Sequence, residues 1–321
     1  MTNTTSKTAG RSGFLRRFKR QQAQLPKALL LAALGSACLP AHALKALACE
    51  PEWAALITEI GGDKVKVDSA TTALQDPHHI EARPSLIAKA RNADLVVCTG
   101  LELEVGWLPV LLQQAGNPKI AAGSAGNLEI GPLVTRLDIA SKVDRSEGDV
   151  HASGNPHIQQ NPHNIGKAAE AIAKRLAELD APNAAYYQGR YKDFSARWNA
   201  AIPKWEQQAA VLKGVAVVEH HKNMAYLLQW LGLRPVAALE PKPGVEPSAA
   251  HLAQLQAQLA KEPAKMVLRG AYQDGRASQW LVEHSKVKAV VLPFTVGGND
   301  KAGTLFTFFD DTVQRLLEGA K

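Results

Sequence analysis

The chain has 321 residues, with 37 Lys and Arg against 30 Asp and Glu for a formal net charge of +7. Seven of the bases and none of the acids fall in the first 43 residues, so the remainder is balanced at 30 against 30 and lacks the positive field that gathers phosphates. That argues against nucleic-acid binding, and the roughly 278 residues beyond the basic segment exceed what one small core organises, so two lobes are expected.

Met1 to Ala43 reads as an export signal. The bases Lys7, Arg11, Arg16, Arg17, Lys19, Arg20 and Lys27 precede the apolar run Ala28 to Leu34 and the small-residue site Ala41-His42-Ala43. The run is shorter than the roughly 20 residues a membrane-spanning helix needs. Cleavage after Ala43 and a periplasmic location are therefore expected. Cys38 follows Gly35-Ser36-Ala37, with Gly where a lipid-anchoring signal usually has Leu.

Strands and helices then alternate. Ala46 to Cys49 reads as a strand, Pro51 to Ile60 as a helix stopped by Gly61-Gly62, and Lys64 to Val67 as the next strand. A loop carrying His78 and His79 leads to a helix from Pro84 to Arg91, a buried strand from Asp94 to Cys98 and an amphipathic helix from Leu103 to Gln114. Cys49 and Cys98 each end a strand, and in an oxidising compartment a disulfide between them is expected. The stretch from Gly148 to Asn164 follows, with His151, His157 and His163 in it.

Helical spacing runs from Ile165 to Leu179, and a second helix from Ala184 to about Val211 is interrupted by Pro203. Further on come strand Val215 to Val218 ending at His220-His221, helix Asn223 to Leu231, and strand Pro235 to Leu239. Helix Ser248 to Ala260, strand Lys265 to Leu268, helix Ser278 to Glu283, strand Ala289 to Leu292 and a final helix near Thr307 to Glu318 complete the chain. This grammar predicts an α/β fold with two lobes of parallel-type sheets flanked by helices, in which ligands sit beyond the carboxyl ends of the strands. The expected divisions are 1–43 signal, 44–163 first lobe, 164–182 linking helix and 183–321 second lobe.

The histidines carry the chemistry. Asn155-Pro156-His157 and Asn161-Pro162-His163 present imidazoles from backbone that proline stiffens, and Asp76-Pro77-His78-His79 and Glu219-His220-His221 lie at predicted strand ends. Imidazoles collected from several loops suit a borderline-soft divalent ion such as zinc, while the spacing fits neither a zinc finger nor a helical His-Glu-x-x-His protease site. His151 lies in an acidic stretch with Asp144, Glu147 and Asp149. It reads as part of a solvated loop, with a transient metal-collecting role as the alternative.

Three motifs occur in an ordered set: Asp76-Pro77-His78 shortly before Arg83-Pro84-Ser85, Asn155-Pro156-His157 ahead of a long helix, and His221-Lys222-Asn223-Met224-Ala225-Tyr226-Leu227 ending a strand. Behind an export signal, this set resembles the zinc- and manganese-binding solute-binding proteins of ABC importers, the TroA-like family. The resemblance implies two α/β lobes bridged by a rigid helix, one ion held between them, and delivery to a membrane permease by a monomeric receptor. Position by position it implies His78, His157 and His221 as ligands. His221 is preferred to His220 because the family's aromatic lies five residues after its ligand, where Tyr226 stands; Met224-Ala225 replaces the commoner Phe-Gly.

The family also draws a carboxylate from the region after the last strand. Asp300, following Gly297-Gly298, is the approximate match, with a water or a residue of the Asp144 to His151 loop as the alternative fourth ligand. Imidazole-rich coordination favours Zn2+ over Mn2+, with copper or nickel admitted by affinity order alone. A zinc hydrolase using Glu219 or Glu240 as base, and a periplasmic metal chaperone or store, share these motifs.

Overall fold

A computed structural model of the chain describes residues 43–139, 148 and 151–321. The export-signal reading, except at Ala43, and most of the Asp144 to His151 stretch lie outside the described residues. Among the described residues no helix is long and apolar enough to cross a membrane.

The first lobe is built on β1 (Leu44–Ala48), β2 (Val65–Ser69), β3 (Leu95–Cys98) and β4 (Asn127–Glu129), all parallel in the order β2-β1-β3-β4. Its helices are α1 (Pro51–Gly61), α2 (Pro84–Asn92) and α3 (Leu108–Ala115). The second lobe repeats the plan with β5 (Ala216–Glu219), β6 (Arg234–Ala238), β7 (Met266–Gly270) and β8 (Lys288–Leu292), again parallel, in the order β6-β5-β7-β8. Its helices are α6 (Ala225–Leu231), α7 (Ala249–Lys261), α8 (Arg276–His284) and α9 (Leu305–Ala320). A parallel strand buried on both faces reads as a continuous apolar run, and Leu95-Val96-Val97-Cys98 is buried at every position.

Between the lobes lie α4 (Pro162–Leu179) and α5 (Ala184–Ala209). Residues 164–182 were expected to form the link; α4 packs along α5 and on α1, and it is the longer α5 that touches both α1 of the first lobe and α9 of the second. Pro203 does not interrupt α5. A proline inside a helix costs about 3 kcal/mol, but Trp198, Ile202, Trp205 and Ala209 recur at helical spacing and are buried. Trp198 and Trp205 pack on Phe309 at 5.5 and 5.1 Å, and Trp205 donates its indole N–H to Asp310 at 2.7 Å. That packing outweighs the lost backbone bond. One apolar cluster from both sheets and α1, α4, α5 and α9 runs through the middle of the molecule, so the lobes share a core.

Cys49 and Cys98 form a disulfide across the neighbouring ends of β1 and β3. Beside it three carboxylates, Glu50, Glu52 and Glu104, are buried. Glu104 accepts the backbone N–H groups of Thr99 and Gly100 at 2.8 and 3.0 Å, while Glu52 accepts the Thr295 hydroxyl of the second lobe at 2.5 Å. Burial pushes Glu52 and Glu104 up to about 7, and burial with the charge of Glu104 pushes Glu50 well above its ordinary value.

The sign of the Glu52 effect follows from linkage. The unfolded chain ionises at about 4.5 and the folded one at about 7, so the folded state holds more protons between these values and stability falls as pH rises through that window. Glu52→Gln keeps an acceptor for Thr295 and removes the ionisation. It should raise the melting temperature at pH 8 by about 5–8 °C, equivalent to roughly 2–3 kcal/mol, and change it little at pH 4.5. Melts at the two pH values check this; an equal shift at both would contradict the buried-acid account.

Candidate metal centre

The histidine-bearing loops all sit at carboxyl ends of strands or just before α4. His78 lies between β2 and α2, His157 before α4, and His221 directly after β5. A repeated local device aims the first two. In Asp76-Pro77-His78, the Asp76 Oδ1 accepts both the backbone N–H of His78 at 3.0 Å and its ring Nδ1–H at 2.7 Å. In Asn155-Pro156-His157, the Asn155 Oδ1 accepts the same two groups at 3.1 and 2.9 Å. The proline holds the turn open, the Asx oxygen closes it, and the Nε2 lone pair points away from the backbone. His221 reaches the same state through its Nδ1–H, which donates to Glu240 Oε2 at 2.6 Å.

These turns are tied down from a distance. Trp107, buried, donates its indole N–H to Pro77 O at 2.8 Å. Tyr226 of α6 donates its hydroxyl to Asn155 O at 2.9 Å and accepts the Leu137 N–H at 3.1 Å. The aromatic five residues after His221 thus fastens the loop of His157, which gives the motif a physical reason.

The three rings converge. Centroids of His78 and His157 are 5.5 Å apart, His157 and His221 5.8 Å, and His78 and His221 6.1 Å. All three are buried, His157 to 2% exposure. Among the described residues the His157 Nε2 is buried with no hydrogen-bond partner, an arrangement that is costly unless something else satisfies the nitrogen. Burial first, then the rings of His78, His221 and His151, hold the His157 pKa well below the ordinary imidazole value, so it stays neutral and able to bind a metal near pH 7. For Asp76 burial works upward, but the bonds from His78 outweigh it and leave its pKa below the usual value. A cavity of about 1010 Å³ opens from the rings along β6 and α7, lined in part by His151, His157, His221, Glu219 and Glu240.

Of the neighbours set aside, His79 is exposed, and His220 is buried with its Nε2 3.8 Å from Glu240. His163 makes the same Asx backbone bond to Asn161, but there the turn caps α4 and the ring goes to Glu206 at 3.0 Å. His284 stacks on Trp280 at 4.1 Å, and His251 bonds Ala238 O at 3.3 Å.

Asp300 has a different setting from the histidines. It is exposed in a turn, and among the described residues its carboxylate makes no hydrogen bond or ion pair. The Gly297-Gly298 freedom is spent closing the loop on itself, with Gly297 N–H on Ala302 O at 2.7 Å, and not on turning the acid inward. The residue of this loop that reaches the rings is Phe294, 4% exposed, at φ +67° and edge-on to His157 at 5.8 Å.

Comparison with known proteins settles the family. A family model described as "ZnuA: Zinc-uptake complex component A periplasmic" matches residues 47–319. The chain belongs to the ZnuA family. It is 26% identical over 243 residues to the high-affinity zinc uptake system protein ZnuA of Yersinia pestis, covering 71% of this chain and 72% of the relative. It is 25% identical over 308 residues to the protein of the same name from Paracoccus denitrificans, covering 87% and 93%. A crystal structure of ZnuA superposes with a TM-score of 0.72 at 23% identity, over 87% of this chain and all of that one, a likeness of fold.

Within the ZnuA fold, three further side chains lie against the candidate rings; the sequence offered Glu240 only as a possible hydrolase base and His151 only as a loop residue with a metal-collecting or fourth-ligand alternative. Asp76 was visible only as part of a motif, although an Asx two residues before a histidine, with proline between, is the signal that an Nδ1 partner is present. Glu240 lies 19 residues beyond His221, and β6, pairing with β5, brings it there. His151, read as part of a solvated loop, has its Nε2 3.2 Å from that of His78.

Proposed function

We propose that this chain is the exported receptor of an ABC zinc importer. It holds one Zn2+ on the Nε2 atoms of His78, His157 and His221 and hands it to the membrane permease after its signal is cleaved. The observation that carries the reading is the set of three buried imidazoles with ring centroids 5.5 to 6.1 Å apart, each with its Nδ1 occupied by Asp76, Asn155 or Glu240. A carboxylate or amide behind a ligating imidazole fixes its tautomer and strengthens it as a donor. Family membership supports the receptor role, and the ZnuA relatives are named for high-affinity zinc uptake. Manganese seeks more oxygen ligands than this cluster offers, since Asp76 and Glu240 are engaged with ring nitrogens and Asp300 is exposed in a turn.

Competition binding of Zn2+, Mn2+ and Cu2+ to the mature protein, with metal analysis for stoichiometry, tests the proposal. One equivalent of zinc, preferred over manganese by roughly 10²-fold or more, is expected. Preference for manganese, or zinc bound equally well after all three histidines are replaced, would overturn it.

A further inference from the structure

We propose that His151 is the fourth ligand, completing an all-imidazole zinc site, and that Glu102 and Arg136 are the positioning residues that hold it there. The inference rests on the zinc-receptor reading above. Geometry supplies the first support. Four nitrogens at about 2.05 Å from one tetrahedral ion stand about 3.3 Å from each other, with ring centroids about 5.2 Å apart. The His78 and His151 Nε2 atoms are 3.2 Å apart and their centroids 5.3 Å. The His151 and His157 centroids lie 6.3 Å apart, about 1 Å wider than that spacing, so loading would draw His151 inward toward the second ring.

Fixation of the backbone supplies the second. Glu102 accepts the Ala152 N–H at 2.6 Å and the Ser153 hydroxyl at 3.1 Å, and the Arg136 guanidinium donates to Ser153 O at 3.1 Å. Asn155 donates its N–H to Leu137 O at 2.8 Å, and Gly154 takes φ +116°, where an added Cβ would come 2.9 Å from that same oxygen. The residue after His151 is therefore pinned to the first lobe. Glu102 itself sits at φ +69° next to Leu101 at φ +52°. Two consecutive side-chain-bearing residues in the left-handed region are strained, and the strain places the Glu102 carboxylate on the His151 segment.

The third support is the alternative donors. The loop after β8 turns the Phe294 ring, not an acid, toward His157. Asp76 and Glu240 act from behind His78 and His221, where they offset the ion's charge without touching it. Four neutral nitrogens suit zinc and offer manganese no oxygen, so His151 is also a determinant of metal choice.

Zinc K-edge absorption of the zinc-loaded mature protein should show about four imidazoles, and His151→Ala about three plus a light atom. His151→Ala should lose about 30–100-fold in zinc affinity and narrow the zinc-to-manganese ratio; Glu102→Ala should lose about 3–10-fold with four imidazoles retained in the loaded spectrum. Melts of the metal-free variants within about 2 °C of the parent show that folding is not the cause. Three imidazoles in the parent spectrum, or parental zinc affinity in His151→Ala, overturns the assignment. If His157→Ala fails while His151→Ala binds normally, the receptor reading stands and the fourth ligand does not. If both bind normally, the receptor site itself is wrong.

Discussion

Replacing His157 with alanine is expected to lower zinc affinity by roughly 10³-fold or more, the largest loss from any single change in the molecule. His157 is the deepest of the ring cluster, and among the described residues its Nε2 is buried without a partner. Its pKa lies well below the ordinary value, so near pH 7 binding displaces no proton from this ring. Its backbone is fixed from both lobes, by Asn155 on one side and through Tyr226 of α6 on the other. A solvent molecule can take the place of a rim ligand, but not easily that of a ligand at the base of the site.

The same substitution should leave the metal-free protein about as stable as the parent, because the Nδ1 bond it gives up to Asn155 is offset by removal of a buried Nε2 with no partner among the described residues. Affinity lost with the melting temperature kept would separate a binding group from a packing one. His220→Ala provides the contrast, a buried imidazole of the adjacent position whose ring makes no contact with those of His78 or His157 among the described residues; its zinc affinity should stay within about 5-fold of the parent. Titration against a chelating dye of known affinity reads both. Nanomolar binding by His157→Ala, or a loss in His220→Ala equal to that in His221→Ala, would contradict the arrangement.

What was legible in the sequence was local. Asx-Pro-His works as a unit of three residues because the Asx oxygen, the proline and the ring satisfy one another within a single turn, so it can be read without a fold. The alternation of strand and helix was legible for the same reason, and the neighbouring ends of β1 and β3 placed Cys49 beside Cys98. The short strand β4 escaped because Asn127-Leu128-Glu129 has little β character of its own and is held by its pairing with β3. Pro203 misled because helix continuity there is decided by Phe309, over a hundred residues away. The position of His151 is not legible in the sequence for a similar reason. Its acidic sequence neighbours suggest a solvated loop, while Glu102 and Arg136, which fix it, are distant in the chain. Asp300 follows from chain topology and the family's carboxylate in this region; topology selects a loop and not a side chain, and here Asp300 is exposed while Phe294 of the same loop packs edge-on against His157.

Replacing both Cys49 and Cys98 with alanine is expected to lower the melting temperature of the metal-free mature protein by about 10 °C. The bridge spans a sequence separation of 49, and closing a loop of that length removes about 4 kcal/mol of denatured-state freedom. At roughly 2–4 °C per kcal/mol for a chain of this size, the shift follows. The effect should be confined to stability. Both cysteines pack in one apolar cluster with Ile80 and Trp107, and the Cys49 carbonyl accepts from Thr71, but the histidine turns keep bonds of their own: the His78 turn hangs from Trp107 through Pro77, and the His157 turn from Tyr226 and Asn155. At 20 °C, below both transitions, the zinc affinity of the double variant should stay within about 3-fold of the parent. Saturating zinc should raise the melting temperature of both proteins, since an ion that binds only the folded state stabilises it by RT ln(1 + [L]/Kd). The buried acids add a second consequence. Glu50 and Glu104 hang from the segments that follow the two sulfurs and both bond Thr99, so loosening the strand ends admits water to carboxylates that burial keeps protonated. The deficit should therefore be smaller at pH 8 than at pH 5, because solvation relieves a cost paid only when those groups would otherwise ionise. Melts of parent and double variant at the two pH values decide it. Equal melting temperatures would show that the bridge contributes nothing, and a deficit larger at pH 8 would show that the acids stay dry without it.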